Sequence, residues 1–205
     1  MKKAIIAIAA LFAAISANAQ FGIMGGLTSS SGNLESAVAN AKSISQYHVG
    51  VTYKLGIGNL LAIQPALLYN VKGTSIGAAA DNLESFDVNF KTGFIEIPVQ
   101  VQVGFGIGSL ARVYGFAEPF VGYAVSNKVE GNWVTDFNDN WEYVKNRLEY
   151  GIGLGAGVEL FRHLQVSVKY FWNLGDVYGM TFKNISNTVL TSKCSGVAAS
   201  VAFLF

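Results

Sequence analysis

Apolar residues recur at every second position over long stretches of this sequence. In residues 46–57 the apolar positions are Tyr47, Val49, Val51, Tyr53, Leu55 and Ile57. A period of two residues is that of a β-strand, in which successive side chains point to opposite faces. Comparable patterns predict strands at residues 21–29, 60–74, 93–105, 111–126, 148–161, 164–174 and 197–205. The chain is therefore predicted to be all-β, with eight strands.

Charged residues in these strands fall on the side opposite the bulky apolar residues. They are Lys54, Lys72, Glu96, Arg112, Glu118, Arg147, Glu149, Glu159 and Lys169. A cation that faces lipid near mid-bilayer costs roughly 2 to 4 kcal/mol, whereas the lumen of a membrane barrel tolerates charge. The pattern therefore predicts one face toward lipid and one face toward a lumen.

Two strands are expected to be irregular. In the strand at 111–126, three aromatic residues share the parity of Glu118, and a bulge there would redirect part of the strand. These aromatic residues are Tyr114, Phe116 and Phe120. Pro98 lacks a backbone N–H and predicts a second bulge or interruption in its strand.

Composition and connections favour a membrane barrel over a soluble sandwich. The sequence is 51% hydrophobic and only 13% charged, yet past the N-terminus no apolar run reaches the roughly 18 residues of a spanning helix. A bilayer protein that does not cross as helices must close into a barrel. Short links near 58–59, 106–110 and 162–163 alternate with long polar stretches at 30–45, 76–89, 129–146 and 175–195. This alternation predicts an eight-stranded antiparallel up-and-down barrel with periplasmic turns, external loops and both mature termini in the periplasm.

Outward-facing aromatic residues are expected to form two belts at the membrane interfaces. At the loop ends of the strands these are Tyr47, Tyr69, Tyr123, Tyr150 and Trp172, and at the turn ends they are Phe21, Phe105, Phe203 and Phe205.

The N-terminus has the pattern of an export signal. Lys2 and Lys3 precede an apolar stretch at 4–15, and Ala17 and Ala19 form a small-x-small cleavage site. Residues 1–19 are therefore predicted to be a cleaved signal peptide, and residues 20–205 the barrel domain. The only cysteine, Cys194, lies far from the cleavage site, so a lipoprotein anchor and an internal disulfide are both excluded.

Several segments resemble the PorT-type outer-membrane β-barrel family of Bacteroidetes. They are QFGIMGGLTSS at 20–30, FIEIPVQVQVGFG at 94–106, RVYGFAEPFVGYAVS at 112–126 and GIGLGAGVELFRHLQVSVKYFWNLGDV at 151–177. The C-terminal residues Val201, Phe203 and Phe205 look like the signal that the outer-membrane assembly machinery reads during biogenesis. The resemblance implies a barrel in the cell outer membrane, surrounded by its lipid. Particular members act in type IX secretion, and this role is implied only as an alternative here.

No catalytic, metal or cofactor site is predicted. Residues 106–111 and 151–156 match the dinucleotide fingerprint G-x-G-x-x-A, but strands rather than a helix follow them. The two histidines, His48 and His163, are expected near opposite membrane faces, and no nucleophile is evident beside His48. The balance of 14 basic and 13 acidic residues gives no reason to expect nucleic acid as a partner.

Two groups of residues are candidates for function. A polar lumen network is predicted from Glu96, Arg112, Glu118, Glu159 and Lys169. These residues either pair across a filled lumen or line a narrow path for ions and small solutes, and the narrow interior of an eight-stranded barrel favours the filled lumen.

The second group lies in the connection at 129–146 and consists of Trp133, Phe137, Trp141 and Tyr143. These side chains either contact an envelope protein or carbohydrate, or pack on a β-extension above the membrane, which is the favoured alternative. In the first connection, residues 34–42 have helical composition. The sequence thus favours a non-enzymatic barrel with a structural or loop-mediated role in the envelope, with a secretion or assembly factor and a narrow channel as alternatives.

Overall fold

A computed structural model describes residues 19–33, 40–58, 60–78, 86–108, 110–131, 134–138, 147–175, 178–181 and 189–205. The predicted signal peptide, apart from Ala19, lies outside these residues. The strands are β1 (Ala19–Asn33), β2 (Asn40–Ile57), β3 (Leu61–Ala78), β4 (Phe86–Ile107), β5 (Ala111–Gly131), β6 (Val134–Asn138), β7 (Leu148–Leu160), β8 (Leu164–Asn173), β9 (Tyr178–Thr181) and β10 (Val189–Leu204). Within the described part of the chain, no helix is long and apolar enough to cross a membrane.

Eight of the strands close into an antiparallel barrel. They follow the order β1-β2-β3-β4-β5-β7-β8-β10, and β10 pairs with β1 from Gly22↔Leu204 to Asn33↔Lys193. The two short strands lie outside this circuit, because β6 pairs only with β5 and β9 only with β10. The predicted eight-stranded up-and-down barrel is confirmed.

Burial alternates along the strands as the sequence predicts. In β8 the residues from Gln165 to Asn173 switch between buried and exposed at every step. The exposed positions carry the bulky apolar residues, and both predicted aromatic belts lie on this outer face, although Tyr69 is half-buried and contacts Ser126. A face this apolar is covered by lipid rather than by water.

Three short turns lie at one end of the barrel. They connect Ile57 to Leu61, Ile107 to Ala111 and Leu160 to Leu164. Gly58 and Gly108 have φ angles of 65° and 64°, a region that glycine enters without strain. This is the turn end of the barrel, and the opposite end is the loop end.

The hairpins at the loop end are longer than the sequence predicted. β4 has 22 residues and β5 has 21, whereas about 9 to 11 residues cross a bilayer. The β3–β4 pairing continues to Ala78↔Phe86, well past Tyr69 in the aromatic belt. The helical prediction for 34–42 is wrong at residues 40–42, which pair with Ser75, Ile76 and Gly77, while 34–39 lie outside the described residues. The apolar alternation that marks a strand is lost in these extensions, although the backbone pairing continues.

The expected bulge in β5 does not fall near Tyr114, Phe116 and Phe120, whereas the expected interruption at Pro98 is present. β5 pairs with β7 in an unbroken register from Ala111↔Leu160 to Tyr123↔Leu148. Pairing is interrupted beside Pro98 but resumes in the same register on both sides, because a missing N–H removes a hydrogen bond without adding a residue. The register shift between β4 and β5 lies between Gly93 and Phe94, which pair with Ser126 and Ala124, so the extra residue is Val125 on β5, at the loop end of the predicted strand.

Candidate functional site in the barrel lumen

The lumen near the loop end is organised around Lys72. Its ammonium group donates to Glu96 at 2.7 Å and to Glu149 at 3.0 Å. Asn70 donates to Glu96 and Asn173 to Glu149, at 3.1 and 2.8 Å. All three charged groups are almost completely buried. A buried charge is costly unless it is paired and hydrogen-bonded, and each charged group of this cluster has both kinds of partner.

Aromatic rings surround the same ammonium group. Lys72 Nζ lies 4.4 Å from the ring centre of Phe120, 4.9 Å from that of Phe171 and 5.7 Å from that of Phe94. Cation–π attraction acts at these distances and strengthens when water is absent. Two carboxylates and three aromatic rings therefore surround the ammonium group of Lys72.

Two further ion pairs lie nearer the turn end. Lys169 pairs with Glu118, which also accepts a hydrogen bond from Gln100 at 2.7 Å. Lys54 pairs with Glu159 at 2.5 Å, and Gln165 donates to the same carboxylate at 2.8 Å.

Three of the five predicted residues belong to one hydrogen-bonded chain, in which Arg112 donates to Gln102, Gln102 to Gln100 and Gln100 to Glu118, the partner of Lys169. Of the five predicted residues, only Glu118 and Lys169 pair with each other. Glu96 and Glu159 pair instead with Lys72 and Lys54, and Arg112 donates to the amide of Gln102 at 3.0 Å. Sequence reasoning had turned Lys54, Lys72 and Glu149 inward by parity but left them out of the network. Finding their partners requires the strand register, which parity alone does not give.

His48 has a partner that sequence reasoning missed. Its Nε2 lies 2.9 Å from Ser200 Oγ and its Nδ1 lies 2.9 Å from Thr28 Oγ1. The expectation that no nucleophile lies beside His48 is wrong, because barrel closure places β1 between β2 and β10. All three side chains are buried, so the serine has no access to a substrate. His163 lies in the turn before β8, where its Nδ1 is 2.7 Å from the Leu204 carbonyl oxygen.

Aromatic residues of β5 fill much of the remaining lumen. Tyr114, Phe116 and Phe120 are buried on the same face as Glu118. Their directly opposed residues on β7 are Gly157, Gly155 and Gly151. The three rings occupy the space that side chains on β7 would otherwise fill. Large aromatic residues can therefore share the inward face of β5 with Glu118 without a bulge.

The predicted loop contacts fall almost wholly outside the described residues. Trp133, Trp141 and Tyr143 are not described, and Phe137 is described only through its backbone in β6, where it pairs with Val129. This pairing agrees with a β-extension beyond the membrane.

The predicted assembly signal lies on the outer face of β10 and at the chain end. Val201, Phe203 and Phe205 are 50%, 46% and 63% exposed. Phe205 donates its backbone N–H to Phe21 at 2.7 Å, which ties the chain end to β1.

The next observations concern metal ligands and the protein family. In the part of the chain that the structure describes, no group of three His, Cys, Asp or Glu residues is arranged to hold a metal ion. The family described as "Outer membrane protein beta-barrel domain" matches residues 12–179, most of the chain. The chain belongs to this family. The chain is therefore an outer-membrane protein.

Three solved structures resemble this chain at low sequence identity. Neisserial surface protein A is 16% identical, with a TM-score of 0.45, over 90% of this chain and 97% of that one. The attachment invasion locus protein Ail of Yersinia pestis is 14% identical, with a TM-score of 0.42, over 91% and 98%. OprG of Pseudomonas aeruginosa is 13% identical, with a TM-score of 0.49, over 91% and 95%. No curated protein matches the sequence.

Proposed function

We propose that this chain is a non-enzymatic outer-membrane barrel whose closed lumen is a rigid support for hairpins that contact another component of the envelope. The observation that carries this proposal is the lumen itself. Lys72 forms ion pairs with Glu96 and Glu149 in the interior of the barrel, and buried aromatic rings pack around Lys72. A lumen built in this way favours rigidity over transport.

The loop end supplies the contact surface in this proposal. At the loop end β4 extends past the aromatic belt in the β3–β4 hairpin and β5 does so in the β5–β7 hairpin, where β6 pairs with β5. We infer that these hairpins face the outside and that both mature termini face the periplasm, in line with the short turns at one end and the long hairpins at the other. The outward Val201, Phe203 and Phe205 then serve the assembly machinery during biogenesis.

The absence of enzymatic activity is inferred from access. Ser200 and His48 form the one serine–histidine contact described in the lumen, and they are 8% and 4% exposed. A nucleophile must reach the reacting carbon of its substrate, and side chains buried to this degree are poorly placed to do so.

Co-purification from membranes tests the proposal. The full chain is captured after mild crosslinking, together with two variants that differ only in their hairpins. Trp133→Ser with Trp141→Ser removes aromatic side chains from the β5–β7 connection, and Leu83→Ser with Phe86→Ser is the matched control in the β3–β4 hairpin. We expect one envelope protein with the wild type and the control but not with the Trp133/Trp141 variant. Recovery of no partner with the wild type would contradict a loop-mediated role.

A secretion or assembly factor is the second candidate. The segments at 94–106, 112–126 and 151–177 support it through their resemblance to PorT-type barrels. In a deletion strain this role predicts that type IX cargo accumulates in the periplasm. Normal cargo secretion, with the barrel's own partner still recovered from wild-type membranes, would leave the first proposal standing and remove the second.

A narrow channel is opposed by the filled lumen. Purified protein in planar bilayers is expected to give no unitary conductance steps. Regular steps that disappear in a Glu96→Gln variant would contradict the closed lumen.

A further inference from the structure

A cavity of about 490 Å³ opens at the turn end of the barrel. Four charged side chains line it: Lys54, Arg112, Glu159 and Arg162. Small-molecule sites occupy about 300 to 1,000 Å³, so the cavity has room for a small ligand or a headgroup.

The charges of this cavity do not balance. Lys54 and Glu159 neutralise each other at 2.5 Å. Arg112 donates to the side-chain oxygen of Gln102 at 3.0 Å and to the Leu60 carbonyl oxygen at 3.2 Å, and both acceptors are uncharged. Among the residues that the structure describes, no carboxylate forms an ion pair with Arg112 or Arg162. The residue directly opposite Arg112 on β7 is Glu159, which already pairs with Lys54, so three cations share this one carboxylate and the cavity keeps an excess of positive charge.

The cavity is closed toward the loop end. Arg112 lies 5.4 Å from the ring centre of Tyr114, and Gln102 links Arg112 to Gln64. Tyr114, Gln102 and Gln64 are at most 2% exposed. The cavity therefore ends on a floor of buried polar side chains.

We propose that this turn-end cavity binds an oxyanion of the phosphate class through Arg112 and Arg162. A guanidinium group presents its donors in a planar fork that matches phosphate oxygens, and it stays charged at all physiological pH values. The inference goes beyond the loop-mediated role and does not depend on it.

Two sources supply this chemistry, a free phosphate and the headgroup of an anionic phospholipid. The turns around the cavity expose large apolar side chains, with Leu60 and Leu110 each 60% and Phe161 63% exposed. Such a rim is suited to a headgroup whose acyl chains continue into the adjoining membrane leaflet. The free anion needs only the two guanidinium groups.

Binding measurements on the folded full-length barrel test the proposal. In zwitterionic micelles, inorganic pyrophosphate is titrated by calorimetry, and retention of phosphatidylglycerol is measured by native mass spectrometry. Arg112→Gln with Arg162→Gln is compared with Arg147→Gln, which removes an arginine at the loop end. Losing charged hydrogen bonds weakens binding roughly tenfold or more, so we expect this loss in the double variant and unchanged binding in Arg147→Gln.

The outcomes distinguish a free anion from a lipid headgroup, and they also show whether the site binds an oxyanion at all. Pyrophosphate binding identifies a free anion, and phosphatidylglycerol retained without pyrophosphate binding identifies a headgroup; both support the site. Binding of neither probe to the wild type, or equal binding by wild type and double variant, overturns it. Arg162→Gln alone changes an exposed turn side chain, so it tests the site even where loss of the Arg112 hydrogen bonds prevents folding. Folding is checked for every variant by heat-modifiable gel mobility.

Discussion

The ring of Tyr114 on β5 lies directly against Gly157 on β7. The two residues are paired across the strands, and a Cβ built at Gly157 would lie 2.6 Å from the Tyr114 Cζ atom. The same relation joins Phe116 to Gly155 and Phe120 to Gly151. Large residues on one strand thus meet glycines on the next, and this complementarity fills the narrow interior of an eight-stranded barrel.

This packing predicts that Gly157→Ala destabilises the barrel. The added methyl group would also lie 2.8 Å from the Val166 carbonyl oxygen, so both a buried ring and the backbone must move. Overpacking of this kind costs about 1 to 3 kcal/mol. Gly115→Ala is the matched control, because Gly115 is on the outer face and its nearest neighbour would be 3.8 Å away. Urea titration of the folded gel band measures both, and equal stability of the two variants would refute the packing argument.

The ion cluster predicts an unequal response to its members. Lys72→Met leaves Glu96 and Glu149 buried without a cation, which costs about 3 to 5 kcal/mol of the free energy of unfolding. Glu149→Gln is expected to cost less, because Lys72 keeps Glu96 at 2.7 Å.

The combined variant tests the coupling within the cluster. Lys72→Met with Glu96→Gln and Glu149→Gln should recover much of the stability lost in Lys72→Met, as measured by urea titration. If the losses simply add, the cluster is not coupled as its geometry indicates.

The barrel could be predicted from the sequence because lipid requires the outward residues of each strand to be apolar, which leaves charged residues on the inward face. Lys54, Lys72 and Lys169 could all be turned inward by parity alone, since each lies opposite the apolar face of its own strand. Two of the three turns contain a glycine with a positive φ angle, Gly58 and Gly108, whereas in the third turn Phe161 and Arg162 adopt positive φ angles.

The pairing of side chains could not be predicted in the same way. Ser200 and His48 are 152 residues apart in sequence. They meet because barrel closure pairs β1 with both β2 and β10, which brings the strands that carry them close together. Lys54 and Glu159 meet in the lumen although they are 105 positions apart in the sequence. Such contacts depend on register and barrel closure, and no local pattern in one sequence encodes either. The expected bulge at Tyr114 failed for a related reason, since the glycines that accommodate the ring belong to another strand.

The assignment of the outer face predicts a depth-dependent cost of charge. Leu154 is 51% exposed in the middle of β7, whereas Phe161 is 63% exposed in the adjoining turn. An arginine on the lipid face costs roughly 2 to 4 kcal/mol at the midplane and about 0 to 1 near the interface. Leu154→Arg should therefore destabilise the barrel in vesicles more than Phe161→Arg, as measured by urea titration. A reversed order would mean that the lipid boundary is misplaced.

Ser200 is predicted to be chemically silent in the folded barrel. Its hydroxyl lies 2.9 Å from His48 Nε2, the arrangement in which a histidine activates a serine, but both side chains are buried among lumen residues. A fluorophosphonate probe should therefore leave Ser200 unmodified, and mass spectrometry of the tryptic peptides measures this directly. His48→Phe tests the structural role, because it leaves Thr28 and Ser200 without their ring partner and is expected to lower stability by about 1 to 3 kcal/mol. Rapid labelling of Ser200 that His48→Phe abolishes would instead reveal an activated nucleophile, and the non-enzymatic proposal would then be wrong.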